Sequence, residues 1–152
     1  MVQESAPSLT TPESCVQLLR KIDQDLAKAS ECGETTGLVA LVGPNRIFGA
    51  SVGDSMAWLF SPNERIELTR GQERKPFLGN GVALGRSFNR SPCKGTIVFA
   101  TDGLWKYTGL ESIEQRVREA DASSLADELS HLVRLSSGGF PDDVAIMTCR
   151  SI

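Results

Sequence analysis

Three acidic turns hold the residue types in this sequence that could do chemistry. Asp54 lies in Gly53-Asp54-Ser55 after "FGASV", Asp102 opens Asp102-Gly103 after "IVFA", and Asp142-Asp143 precedes "VAIM". Each sits where an apolar, strand-like run meets glycine, serine or proline. A carboxylate at the end of an apolar strand is costly to desolvate unless something charged meets it. The ends of neighbouring strands can converge in space, and carboxylates brought together repel unless a cation sits between them. Mg2+ and Mn2+ prefer such oxygen ligands. An ion held that way polarises a phosphoryl oxygen and can make a bound water nucleophilic at neutral pH. Against this stands the plainer reading that Asp-Gly is a common turn pair, because the aspartate side chain bonds nearby backbone N–H groups.

Other ligand types are sparse. His131 is the only histidine, and Cys15, Cys32, Cys93 and Cys149 are scattered without a C-x-x-C pair. Zinc is therefore not indicated, and Cys149, in an apolar run, reads as a buried thiol. Trp58 and Trp105 follow strand patterns and read as core anchors. Arg70, Arg74 and Arg86 fall in a charged, glycine-rich connection over 70–94 and read as solvated surface or as substitutes for a phosphate-binding arginine.

The elements that must position the acidic turns follow from periodicity. "TTPESCVQLLRKIDQDLAKAS" opens with Thr10 or Thr11 as cap, Pro12 in the first turn and Glu13 three after Thr10. Its stripe Leu18, Leu19, Ile22, Leu26, Ala29 predicts a helix over 12–30. Short apolar runs separated by turn residues predict strands at 36–43, 46–53, 55–60, 64–68, 95–100 and 143–149. Their connections are too short for helical crossovers, so the strands are expected to be antiparallel. The T-x-x-E of Thr108 and Glu111, and Ser123 or Ser124, mark helices at 109–120 and 124–135. Helix, strands, helices, strand is an α+β plan with sheets covered by helices.

At 152 residues the chain is one domain long, with 40% hydrophobic and 23% charged residues. The net charge of −3 offers no basic field for nucleic acid. No apolar run approaches the roughly 20 residues of a membrane span. "MVQESAPSLTTPES" lacks the basic and apolar regions of a signal peptide. A cytoplasmic, reduced protein is expected, with residues 1–9 as a flexible tail and 10–152 as the domain.

The ordered motifs resemble those of the metal-dependent protein serine/threonine phosphatases, the PPM or type 2C family, from about Ser14 to Arg150. "GETTGLVALV" is similar to the family's G-x-T-A strand, and "FGASVGDSMAWLF" to its A-N-x-G-D-S-R-A segment. "IELTRGQ" is similar to the L-T stretch and "GVALGRSF" to the L-T-R-A-L-G element. "IVFATDGLWKY" resembles S-D-G-L-W-D, and "SSGGFPDDVAIM" resembles the closing G-S-x-D-N-x-T-V. The resemblance implies an antiparallel β-sandwich flanked by helices in α-β-β-α layers. It implies Asp102 and Asp142 sharing one Mg2+ or Mn2+ ion, and Asp54 near an auxiliary metal site. Gly103 would let its turn approach the site, and Asp143 stands where asparagine is usual. The implied activity is dephosphorylation of phosphoserine and phosphothreonine proteins by a metal-activated water.

The sequence also departs from the family. The upstream D-G-H-G, whose aspartate bridges two metals, is absent, and with it the phosphate-binding arginine and the general-acid histidine. No catalytic residue is assigned for that reason. Lys106 replaces the last carboxylate of D-G-L-W-D, and Met56 replaces a common arginine. The chain reads as the C-terminal two-thirds of the domain, with an open sheet edge for a missing segment, residues 1–9 or a partner. The alternative is a non-catalytic pseudophosphatase that acts as a partner-binding regulatory module.

Overall fold

A computed structural model describes residues 8–29 and 33–150. The elements run α1 (Pro12–Lys28), β1 (Gly37–Val42), β2 (Ile47–Val52), β3 (Met56–Phe60), β4 (Arg65–Glu67), β5 (Arg86–Arg90), β6 (Thr96–Ala100), α2 (Asp102–Trp105), α3 (Leu110–Glu119), α4 (Leu125–His131) and β7 (Ile146–Arg150). One sheet has the order β1-β2-β5 and the other β4-β3-β6-β7, with every named pair antiparallel.

Period-2 alternation sorts side chains into three cores. Odd positions of β3 and β6 (Ala57, Leu59, Ile97, Phe99) meet Ile47 and Phe88 of the other sheet, with Leu38 and Ala40 packed alongside. Even positions of the same strands (Phe60, Val98, Ala100) turn outward to Leu104, Ile113, Val117, Leu125 and Leu129 of α2, α3 and α4. On the other side, Ala50 and Val52 of β2 meet Cys15 and Leu19 of α1. The result is the expected α-β-β-α layering. Strands buried on both faces read as continuous apolar runs, which is why "GLVALV", "IVFA" and "MAWLF" lack a polar face.

Most boundaries fall within a residue or two of expectation, and the exceptions have physical causes. β7 starts three residues late, because 142–145 forms the turn described below. The helix expected over 124–135 ends at His131, and that over 12–30 ends at Lys28 with Ala29 as its cap. β5 lies inside the connection read as irregular; "RSFNR" buries only Phe88, so it carries almost no apolar signal. The cap of α1 is Thr11, paired in a capping box with Ser14 instead of Glu13. α3 starts from Gly109, so Thr108 and Glu111 do not form its cap, and the Thr108 hydroxyl is buried without a partner. Cys15 and Cys93 are buried free thiols, pushed above the usual thiol range by burial, whereas Cys149 is only half-buried. Of the expected tail, residues 1–7 lie outside the described residues, and Leu9 packs against the α1 core.

The expected stripe of α1 is rotated. Ile22 is exposed, and the inward positions are Cys15, Leu19 and Asp23. Asp23 is 1% exposed, and its two oxygens accept from the backbone N–H groups of Gly79 (2.8 Å), Gly81 (3.0 Å) and Ala83 (3.1 Å). One carboxylate thus replaces water for three amides and fastens the long connection onto the helix. Asp23→Ala is expected to strand those donors and lower stability by about 3 kcal/mol, read as a lower urea midpoint, with new proteolytic cleavage near 79–83.

Candidate metal centre

Ala100, the last residue of β6, pairs with Met56 on one side and with Ile146 on the other. The turns before β3, after β6 and before β7 therefore share one end of the four-stranded sheet. Asp54, Asp102 and Asp142 are carried by those three turns.

Local chemistry pulls the 142–145 segment onto the start of α2. The Thr101 N–H donates to the Ala145 carbonyl at 3.1 Å. The Thr101 hydroxyl donates to the Asp143 carbonyl and accepts from the Ala145 N–H, both at 3.0 Å. Gly103 faces the same segment, where a Cβ would clash with the Asp143 carbonyl oxygen. α2 itself is anchored by Trp105, whose Nε1 donates to the Ala100 carbonyl at 3.1 Å and whose ring lies 6.3 Å from that of Trp58. Both tryptophans pack against the outer core, as expected of anchors.

Asp102 and Asp142 then face a common cation, the ammonium of Lys106. It forms an ion pair with Asp102, one helical turn back, and lies 3.5 Å from Asp142 Oδ2. The hydrogen bond to Asp102, helped by both negative charges, pushes the Lys106 pKa above the ordinary lysine value, so the ammonium stays charged at neutral pH. Its side chain is 47% exposed, so solvent screens each contact. The arrangement matters because one cation serves two carboxylates, more than for the strength of either pair. Asp142 Oδ1 also accepts from the Asp143 N–H at 2.9 Å. Asp143 contributes through its backbone, and its own side chain is exposed.

Asp54 lies on the turn before β3, at the same end of the sheet. Gly53 takes φ +95°, where a side chain would be strained and would also press on Thr36. Ser55 is fixed by the Thr36 hydroxyl at 2.7 Å and by Gln72 Nε2, which donates to its carbonyl at 2.8 Å. Among the described residues no three Asp, Glu, His or Cys side chains converge as a metal site, so Asp54 does not close a triad with Asp102 and Asp142. Of the three arginines, Arg70 is exposed on the turn that follows β4, two residues before Gln72, whose side chain reaches the Ser55 carbonyl. Arg74 is exposed, and Arg86 donates to the Gly71 carbonyl at 3.1 Å. His131 is the exposed last residue of α4.

The donor set has a definite capacity. Two hard carboxylates already embrace one cation, so they fit a single ion in its place. They do not fit a pair of ions, for which a further bridging carboxylate would be needed among the described residues. In the sequence Lys106 stands out only as a missing carboxylate. Its spacing of four from Asp102 was the available signal, since helical residues at that interval are neighbours. The role of Thr101 had no signal beyond its place between an apolar run and Asp-Gly.

The two helix-covered antiparallel sheets form the fold of the PPM-type serine/threonine phosphatases. The chain superposes on the catalytic domain of the serine threonine protein phosphatase PstP, solved with two manganese ions, with a TM-score of 0.77 and 19% identity. The match covers 95% of this chain and 73% of that one. It also resembles Stp1 of Staphylococcus aureus (TM-score 0.70, 17% identity, 90% and 65% covered) and a bacterial serine phosphatase (0.74, 20%, 87% and 63%). The chain thus spans about two-thirds of the length of these structures. No protein-family model and no curated protein sequence matches it, so the likeness rests on three-dimensional structure.

Gly103 offers a direct probe of the close approach. Gly103→Ala is expected to drive the 142–145 segment away and to cost about 2 kcal/mol, as overpacking does. Urea unfolding would read the loss, and amide exchange at Ala145 would accelerate.

Proposed function

We propose that the chain is part of a Mg2+- or Mn2+-dependent phosphatase acting on phosphoserine and phosphothreonine proteins in the cytoplasm. The observation that carries this reading is the convergence of Asp102 and Asp142 on one cation position at the strand ends of a phosphatase fold. Asp102 and Asp142 would hold the ion, with Asp54 on the adjoining turn as a more distant carboxylate. A bound divalent ion supplies charge neutralisation at the phosphoryl group and a water of lowered pKa. The protein's share is positioning. Thr101 and Gly103 fix the separation of the carboxylates, and Trp105 fixes the helix that bears Asp102. Phosphoryl transfer depends chiefly on positioning and charge, so these are the parts that count.

A second reading is favoured by Lys106. A site already neutralised by its own lysine suits a non-catalytic pseudophosphatase that binds a partner. This reading also accommodates the absence of the family's D-G-H-G motif from the sequence.

Hydrolysis of a chromogenic aryl phosphate and a phosphothreonine peptide in Mn2+, with and without chelator, separates the two. The expected outcome is slow, chelator-sensitive turnover by the chain, increased when a segment bearing the D-G-H-G motif is supplied. Asp102→Ala and Asp142→Ala should abolish it while circular dichroism stays unchanged. No turnover even with the added segment would assign the chain to the second reading.

A further inference from the structure

We propose that Lys106 is a built-in competitor for the divalent ion, so that an ion enters between Asp102 and Asp142 only by displacing the lysine ammonium. The inference deepens the metal-dependent reading above and rests on it. Its basis is geometric. Lys106 follows the last turn of a four-residue helix whose own backbone bond, Lys106 N–H to the Asp102 carbonyl at 2.8 Å, fixes the lysine stem beside Asp102. Its Nζ reaches both carboxylates, Asp102 by direct ion pair and Asp142 at 3.5 Å. An ammonium in contact with two ligand carboxylates takes oxygen faces that an incoming ion would need.

The charge count points the same way. Two carboxylates and one ammonium leave a net charge of −1. A divalent ion that replaces the ammonium brings the site to zero, whereas one that joins it gives +1 and sets two cations against each other. Lysine is suited to yield, because its charge sits at the tip of a flexible four-carbon stem and is well hydrated once released. Half of the Lys106 side chain already faces solvent, so the ammonium has a path outward. The site would therefore load only when the divalent ion is plentiful, and it would empty back onto its own cation. At an unoccupied pair of carboxylates, an aspartate at position 106 would act oppositely, adding a ligand and leaving the repulsion unrelieved.

Isothermal titration with Mn2+ tests this on the wild-type chain, on Lys106→Ala and on Lys106→Ala combined with Asp142→Ala. Lys106→Ala is expected to bind Mn2+ at least about tenfold more tightly, the scale of one lost charge-assisted contact. The double variant is expected to lose the gain. Thermal unfolding gives a second readout: Mn2+ should raise the midpoint more in Lys106→Ala than in wild type. Lys106→Met, which keeps the stem, covers the case in which the alanine variant folds poorly. Equal affinities, a gain that survives loss of Asp142, or no binding by any variant would each overturn the inference. Equal affinities with chelator-sensitive hydrolysis intact would overturn it alone. Absence of both binding and hydrolysis would remove the phosphatase reading as well.

Discussion

The 142–145 segment lies against the end of β6 because Thr101 bonds it three times and Gly103 leaves room for its carbonyl. That approach sets the register in which β7 joins the sheet, and β7 helps to close the outer core over α3 and α4. It also forces Asp102 and Asp142 into each other's field. Once the backbone is committed, the charge problem has few solutions: protonate, bind a cation from solution, or provide one. This chain provides one, on the next turn of the helix. The acidic pair and its lysine are thus consequences of a backbone contact made by a hydroxyl and a missing methyl group.

Asp23 meets the same difficulty by different means. Fully buried, it is satisfied by three backbone amides. Amides from a loop cost nothing in side-chain entropy and cannot swing away, which suits a clasp. An ammonium on a long stem can leave, which suits a site. The two carboxylates show why burial and partner chemistry, more than charge itself, separate a structural aspartate from a functional one.

Much of the layering was legible in the sequence, because strands buried on both faces leave unbroken apolar runs and short turns between them dictate antiparallel pairing. The acidic turns were legible for the same reason: they terminate those runs. What stayed hidden needed knowledge of partners. "RSFNR" has one buried side chain and reads as loop, although its backbone completes a sheet. Asp23 breaks the apolar stripe of α1 in sequence, while in space it is the centre of that face. The pattern at Thr108 and Glu111 is a good cap by composition, yet Gly109 is where the helix begins. Lys106 was visible as an exception to a motif, and only the structure gives it two partners.

The four outer strands differ in a way that bears on solubility. β4 is three residues long and carries Arg65 and Glu67, and β5 is bounded by Arg86 and Arg90; charge and shortness protect both from pairing with strangers. β1 has neither guard. Its sequence "GLVALV" contains no charge and no proline, and β2 is its one partner among the described residues. β7, which runs beside the same opening as Leu38 of β1, exposes Met147 and offers only the terminal Arg150. The sandwich is therefore fortified along one long side and sticky along the other. Self-association or fibril growth would begin at β1, whose outer row of amides and carbonyls has no strand partner among the described residues and can template another chain.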